Sequence, residues 1–86
     1  MAEIFGAGVI EIDVHNMTAD QAAVAVDSKV RRADRSVYRI RVIHGYHGGT
    51  VIRDMVRSRY RNNPKVLRIE PGTNPGTTDL VLRELY

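Results

Sequence analysis

The strand-like segments of this chain are apolar on one side only, and that constrains the architecture more than any other feature. Ile10, Ile12 and Val14 alternate with Glu11, Asp13 and His15; Tyr38, Ile40 and Val42 alternate with Arg39 and Arg41. Successive strand side chains point to opposite faces, so each segment has one face to bury and one charged face. A sheet covered by helices on both sides would read as nearly continuous apolar runs instead. Helices therefore have one face of this sheet to cover.

Two segments carry the helical period. Thr18 opens Thr-Ala-Asp-Gln, a capping box, and the helix it starts runs to about Ala33, burying Ala22, Val26, Val30 and Ala33 at spacings of three and four. The second runs from near Thr50 to Arg61 with Ile52, Met55, Val56 and Tyr60 inward, and Asn62-Asn63-Pro64 stops it. Residues 66–70 form a third strand with Leu67 and Ile69 inward. Residues 71–78 form a loop of Pro-Gly turns, and 80–85 a fourth strand in which Leu80 and Leu82 oppose Val81 and Arg83.

The order β-α-β-α-β-β predicts an α/β fold, a two-layer α/β sandwich. Its four-stranded mixed sheet has two helices on one face and an open polar face on the other. Right-handed crossovers through the helices make the first three strands parallel, at least in adjacent pairs, and the last strand returns antiparallel. Residues 1–8 carry no period and read as a flexible N-terminal segment, with one domain over 9–86.

The chain has no cysteine, which excludes disulfides, zinc–thiolate sites and cysteine nucleophiles. No apolar run approaches the roughly 20 residues of a membrane span, and the N-terminus lacks a secretory pattern. The expectation is a cytoplasmic protein without a membrane partner.

The net charge of +3 hides a segregation. Residues 29–68 hold twelve of the thirteen basic residues against Asp34 and Asp54, a local charge of +10. The remainder sets Arg83 against eight acids, giving −7. Such asymmetry points to a polyanion partner, although arginines on solvated helix faces would give the same count.

Inside the basic block, strand passes to helix through His44-Gly45-Tyr46-His47-Gly48-Gly49-Thr50. Glycines let amides point into a shared concavity and a helix N-terminus adds partial positive charge, so the junction suits an anion. Tyr46 is a candidate platform for an unpaired base, or packs on its own loop. Arg53 and Arg57 follow one helical turn apart and can meet successive phosphates. Arg39 and Arg41 lie on the polar sheet face, where Glu11 or Glu70 could pair with them instead.

Ligands of parallel sheets gather at the C-terminal ends of the strands. Asp13 and His15 close the first strand, and His44 and Gly45 the second. If those strands are neighbours, an acid, imidazoles and the glycine loop share one rim, and a carboxylate beside an imidazole is the makings of a general base. Singly, each residue has a plainer reading: Asp13 accepting backbone N–H groups, His15 orienting the helix entry, His44 as a satisfied imidazole facing inward. Asp13, His15, His44 and His47 match no compact zinc spacing; magnesium or manganese could use Asp13 together with substrate phosphates.

Glu-Ile-Asp-Val-His, a capped helix, and then Val-Ile-His-Gly-Tyr-His-Gly-Gly-Thr-Val-Ile-Arg resemble the small MutS-related (Smr) domain family. That family is marked by a Leu-Asp-x-His strand end and a later His-Gly-x-Gly loop leading into a helix. The resemblance runs from about Val9 to Leu85. It implies a fold similar to the C-terminal domain of translation initiation factor three. It also implies nucleic-acid binding and, as in several members, endonuclease activity on DNA or RNA. The Asp-x-His positions fall on Asp13 and His15, and the loop positions on His44, Gly45 and Gly48 or Gly49. Ile12 stands for the usual leucine, Asn16 for a frequent glycine and Tyr46 for a frequent lysine, and the loop fits the pattern only with an extra residue or a shifted glycine.

Three readings follow. One is an endonuclease in which Asp13 and His15 activate a water and His44 stabilises charge or protonates the leaving oxygen. Another is a binding module for DNA or RNA without catalysis. The third, outside nucleic acids, is a non-catalytic phosphometabolite-binding or protein-interaction domain.

Overall fold

A computed structural model describes residues 2–5, 8–46 and 50–84 of the chain. The elements are β1 (Ala2–Phe5), β2 (Val9–Asp13), α1 (Ala19–Arg32), β3 (Arg39–Ile43), α2 (Val51–Arg59), β4 (Arg68–Pro71) and β5 (Thr77–Val81). The sheet order is β1-β2-β3-β5-β4. β2 and β3 are parallel, and β5 lies antiparallel between β3 and β4.

The four expected strands and two helices are present. The capping box is complete: Thr18 Oγ1 accepts from Gln21 N at 3.1 Å, and Gln21 Oε1 accepts from Thr18 N at 3.1 Å. Such a cap is worth about 1 kcal/mol. Both helices lie on one face because they are clamped together. Arg59 forks onto Asp27 with contacts of 3.1 and 2.6 Å, and the Tyr60 hydroxyl donates to the same carboxylate. The Arg59 hydrogen bond, and that from Tyr60, hold the Asp27 carboxyl below its ordinary range against the opposing effect of burial. Ile10, Ile12, Val14, Ile40, Val42 and Leu80 from the sheet pack against Ala22, Val26, Val30, Val56 and Tyr60 from the helices.

Three expectations about the sheet need correction. Residues 2–5, read as part of a flexible segment, form a fifth strand antiparallel to β2. That strand covers the edge of β2 that β3 leaves open, where unpaired backbone groups invite pairing. The turn between them rests on Gly8 at φ +80°, where an added Cβ would lie 2.1 Å from Ser36 O. The last strand starts at Thr77, inside the expected loop, and all five of its residues are buried. Its polar residues are tolerated because the fold supplies partners for Thr78 and Asp79. Finally, Leu67 is 55 % exposed and Val66 is buried instead. The chain turns at Val66, whose amide donates to Asn63 O, so regular alternation begins only with β4.

The face away from the helices carries one rung across four strands: Glu11, Arg41, Asp79 and Glu70. Arg41 forks onto Asp79 at 3.1 and 3.3 Å. Arg39 Nη1 bridges Asp79 at 2.7 Å and Glu70 at 3.1 Å. Arg68 adds a contact to Glu70 at 2.6 Å and another to Glu84. Only 3 % of the Asp79 side chain is exposed. Around Asp79 and Glu70 the polar face is an ion-pair lattice. The acids of the terminal segments fold back onto the basic block, so charges segregated in sequence are mixed in space.

Candidate functional site

The neighbouring strands β2 and β3 bring Asp13 opposite Ile43, and Val14 N continues the pairing by donating to Ile43 O at 2.9 Å. The two strand ends therefore share a rim. Beyond it the chain turns back at His15, whose backbone N–H donates to Asp13 Oδ1 at 3.1 Å. The His15 ring closes the same turn with Nδ1 2.5 Å from that oxygen. A carboxylate can only accept, so Nδ1 carries a proton, and in the neutral ring Nε2 presents the lone pair. Nε2 has no partner among the described residues, and the side chain is 48 % exposed. Partial burial pushes the Asp13 carboxyl up, but the ring and backbone hydrogen bonds from His15 outweigh it and hold the group below its ordinary value.

Gly45 stands directly beside this pair. Its φ of +73° needs a glycine, and a Cβ there would come within 3.3 Å of His15 Cβ. The Gly45 amide does not face a ligand as expected. It donates to Gly76 O at 3.0 Å, as the His44 amide does at 2.9 Å, because the loop before β5 pairs with the end of β3. That loop completes the rim: a Cβ on Gly76 would meet Gly45 Cα at 3.3 Å and the Tyr46 ring at 3.5 Å. Asn74 shapes the approach by accepting from Gly76 N at 2.8 Å. Tyr46 is more than half exposed.

His44 points the other way. It is buried, with Nδ1 2.8 Å from Gly45 O and Nε2 2.8 Å from Thr78 Oγ1. The carbonyl fixes the proton on Nδ1, so the Thr78 hydroxyl donates to Nε2 while accepting from Arg57 Nε at 3.2 Å. Both ring nitrogens are engaged, which is the inward, satisfied form weighed above. Through Thr78, His44 ties the loop to Arg57 on the helix side.

Arg53 and Arg57 both lie on α2, and Arg53 contacts Asp54 at 3.1 Å. Thr50 occupies the N-cap position without capping: its hydroxyl donates to Asp54 at 2.9 Å. Arg39 and Arg41, expected to meet phosphate, lie on the open face with Asp79 as partner, a residue for which the sequence indicates neither strand nor ion pair. His47, Gly48 and Gly49 lie outside the described residues. Among the described residues no three His, Cys, Asp or Glu side chains converge on a metal position. His15 engages Oδ1 of Asp13, which leaves Oδ2 as the oxygen that a magnesium or manganese ion could share with substrate phosphates.

Asn74, Gly76 and Thr78 escaped the sequence reading. The Asn-Pro-Gly turn located a loop, but nothing in it indicated that the following strand would insert beside β3 and carry that loop to the rim.

The parallel pair with an Asp–x–His strand end and a glycine loop beside it defines a small α/β domain of known kind. The family model of the Smr domain matches residues 12–78, and the chain belongs to that family. The fold is similar to the crystal structure of the Smr domain of Thermus thermophilus MutS2, with a TM-score of 0.75 and 24 % identity, covering 86 % of this chain and 98 % of that one. No curated protein matches the chain. No helix among the described residues is long and apolar enough to cross a membrane.

Proposed function

We propose that this Smr domain binds nucleic acid at the rim and cleaves a phosphodiester there, with His15 as general base and Asp13 as the group that orients it. The observation that carries the reading is the Asp13–His15 pair, whose tautomer is set and whose Nε2 is open beside Gly45. In the step itself, Nε2 takes a proton from a water as the water oxygen bonds to phosphorus. The bond from phosphorus to the leaving oxygen breaks, and solvent protonates that oxygen. Arg57, held by Thr78, and Arg53 supply positive charge for the phosphates on the helix side. His44 is a positioning residue in this reading, since both of its nitrogens hold the loop.

The test is one preparation incubated with single-stranded, duplex and branched DNA and RNA, with and without chelator, beside His15→Ala and Asp13→Asn. Cleavage by wild type that disappears in both variants while binding persists is the expected result. Equal cleavage in the variants would assign the activity to a contaminant and leave a binding module. Saturable binding of a sugar phosphate, with none of any oligonucleotide, would replace the reading by the phosphometabolite one.

A further inference from the structure

The helix-side groove between α2 and β4 shares Arg57 with the site above and is otherwise unused by it. Its open volume is about 460 Å³. Its floor is apolar, made by Leu67, Ile69 and Pro71, and Leu67 is one of the few large apolar side chains left exposed. Arg57 and Arg61 stand along one wall, and neither has a carboxylate partner among the described residues. The remaining charges of the lining, Arg68 and Glu70, neutralise each other at 2.6 Å. β4 is the edge of the sheet, and no strand among the described residues covers this side.

We propose that the groove takes an unpaired nucleic-acid strand leaving the rim, so that the domain selects single strands over duplex. This rests on the nucleic-acid reading of the rim and names its substrate class. One loop joins the two: Pro71 lines the groove, and the chain from it brings Gly76 O onto the Gly45 amide at 3.0 Å. Charge complementarity identifies the occupant as an anion with apolar faces. Arg57 stands in the last turn of α2 and Arg61 just past its end, so the two cations follow one another along the wall, where successive phosphates of an extended strand can meet them. The Leu67–Pro71 floor offers apolar contact to bases only if they are unstacked, and duplex bases already bury their faces on one another.

Binding of labelled single-stranded oligonucleotides and of their duplexes, measured against salt, tests this with Arg61→Ala and Leu67→Ser. Both side chains are exposed, and unchanged thermal melts will confirm intact folds. Wild type should bind the single strand more tightly. Arg61→Ala should lower the single-strand salt slope by about 1. Leu67→Ser should weaken single-strand binding about fivefold through lost apolar contact, with its salt slope unchanged. Neither variant should alter duplex binding. Equal wild-type affinity for both forms, variants that match wild type on single strands, or equal losses on both forms would overturn the groove assignment while leaving the rim reading standing. Absence of any oligonucleotide binding by wild type would instead remove the reading on which the groove depends.

Discussion

The rim above β2 and β3 and the open face of the sheet hold similar side chains, carboxylates next to bases, and use them in opposite ways. On the open face the central groups answer one another: Asp79 takes two arginines, and Glu70 takes Arg39 and Arg68. At the rim the chain stops pairing. Asp13 holds one nitrogen of His15, and the other faces outward. The lesson is that a charged residue marks a site only where the fold leaves it a valence to use. A count of cations along the chain cannot distinguish a lattice from an interface.

The sharpest separation should come from His15→Ala. Loss of a general base lowers cleavage by about 10²–10⁴-fold, whereas an exposed rim position should change stability by no more than about 0.5 kcal/mol in urea denaturation. On the open face the effects reverse. Asp79→Ala leaves two guanidinium groups facing each other with their shared acid gone. It should cost about 3 kcal/mol, read as a lower urea midpoint. Thr78→Val probes the link between regions. It removes the donor to His44 Nε2 and the acceptor for Arg57 in a buried position, for a loss of ~2 kcal/mol and weaker oligonucleotide binding.

A smaller effect distinguishes the two sets of arginines. Arg57→Ala, which removes a cation with no carboxylate partner among the described residues, should reduce the salt slope of oligonucleotide binding by about 1, and Arg41→Ala should leave that slope unchanged, because its charge is already matched by Asp79. The smallest effect is one of pH. Arg68 and then Arg39 hold the Glu70 carboxyl below its ordinary value. A depressed carboxyl stabilises the fold fully above its unfolded pKa of about 4.3, and the contribution is lost as pH falls through the native value. The stability gap between wild type and Glu70→Gln should therefore be full near neutrality and close under acid, as followed by thermal melts across pH.

The layer architecture was legible because β2 and β3 alternate without exception, and because Thr18 and Gln21 mark the first helix start. The Asp13–His15 pair was legible for the same reason: two residues apart at a strand end, they share a side. The position of β5 was not. Thr77, Thr78 and Asp79 look like loop residues, and their burial follows only once Arg39, Arg41 and His44 supply partners from a strand more than thirty residues earlier. The inward turn of His44 depends on that same insertion. Its parity with Ile40 and Val42 allowed the inward form, but the hydroxyl that completes it comes from β5. Leu67 misled because alternation was extended through a turn that the Asn63–Val66 hydrogen bond imposes.

The most direct measurement is an NMR titration of the isotopically labelled protein with a short oligonucleotide. The rim account expects the largest amide shifts at His15, Gly45, Tyr46 and Asn74–Gly76, with the His15 ring resonances moving alongside them and Arg39, Arg41 and Glu70 still. Shifts confined to the open-face rung, with His15 and Gly45 unmoved, would contradict it.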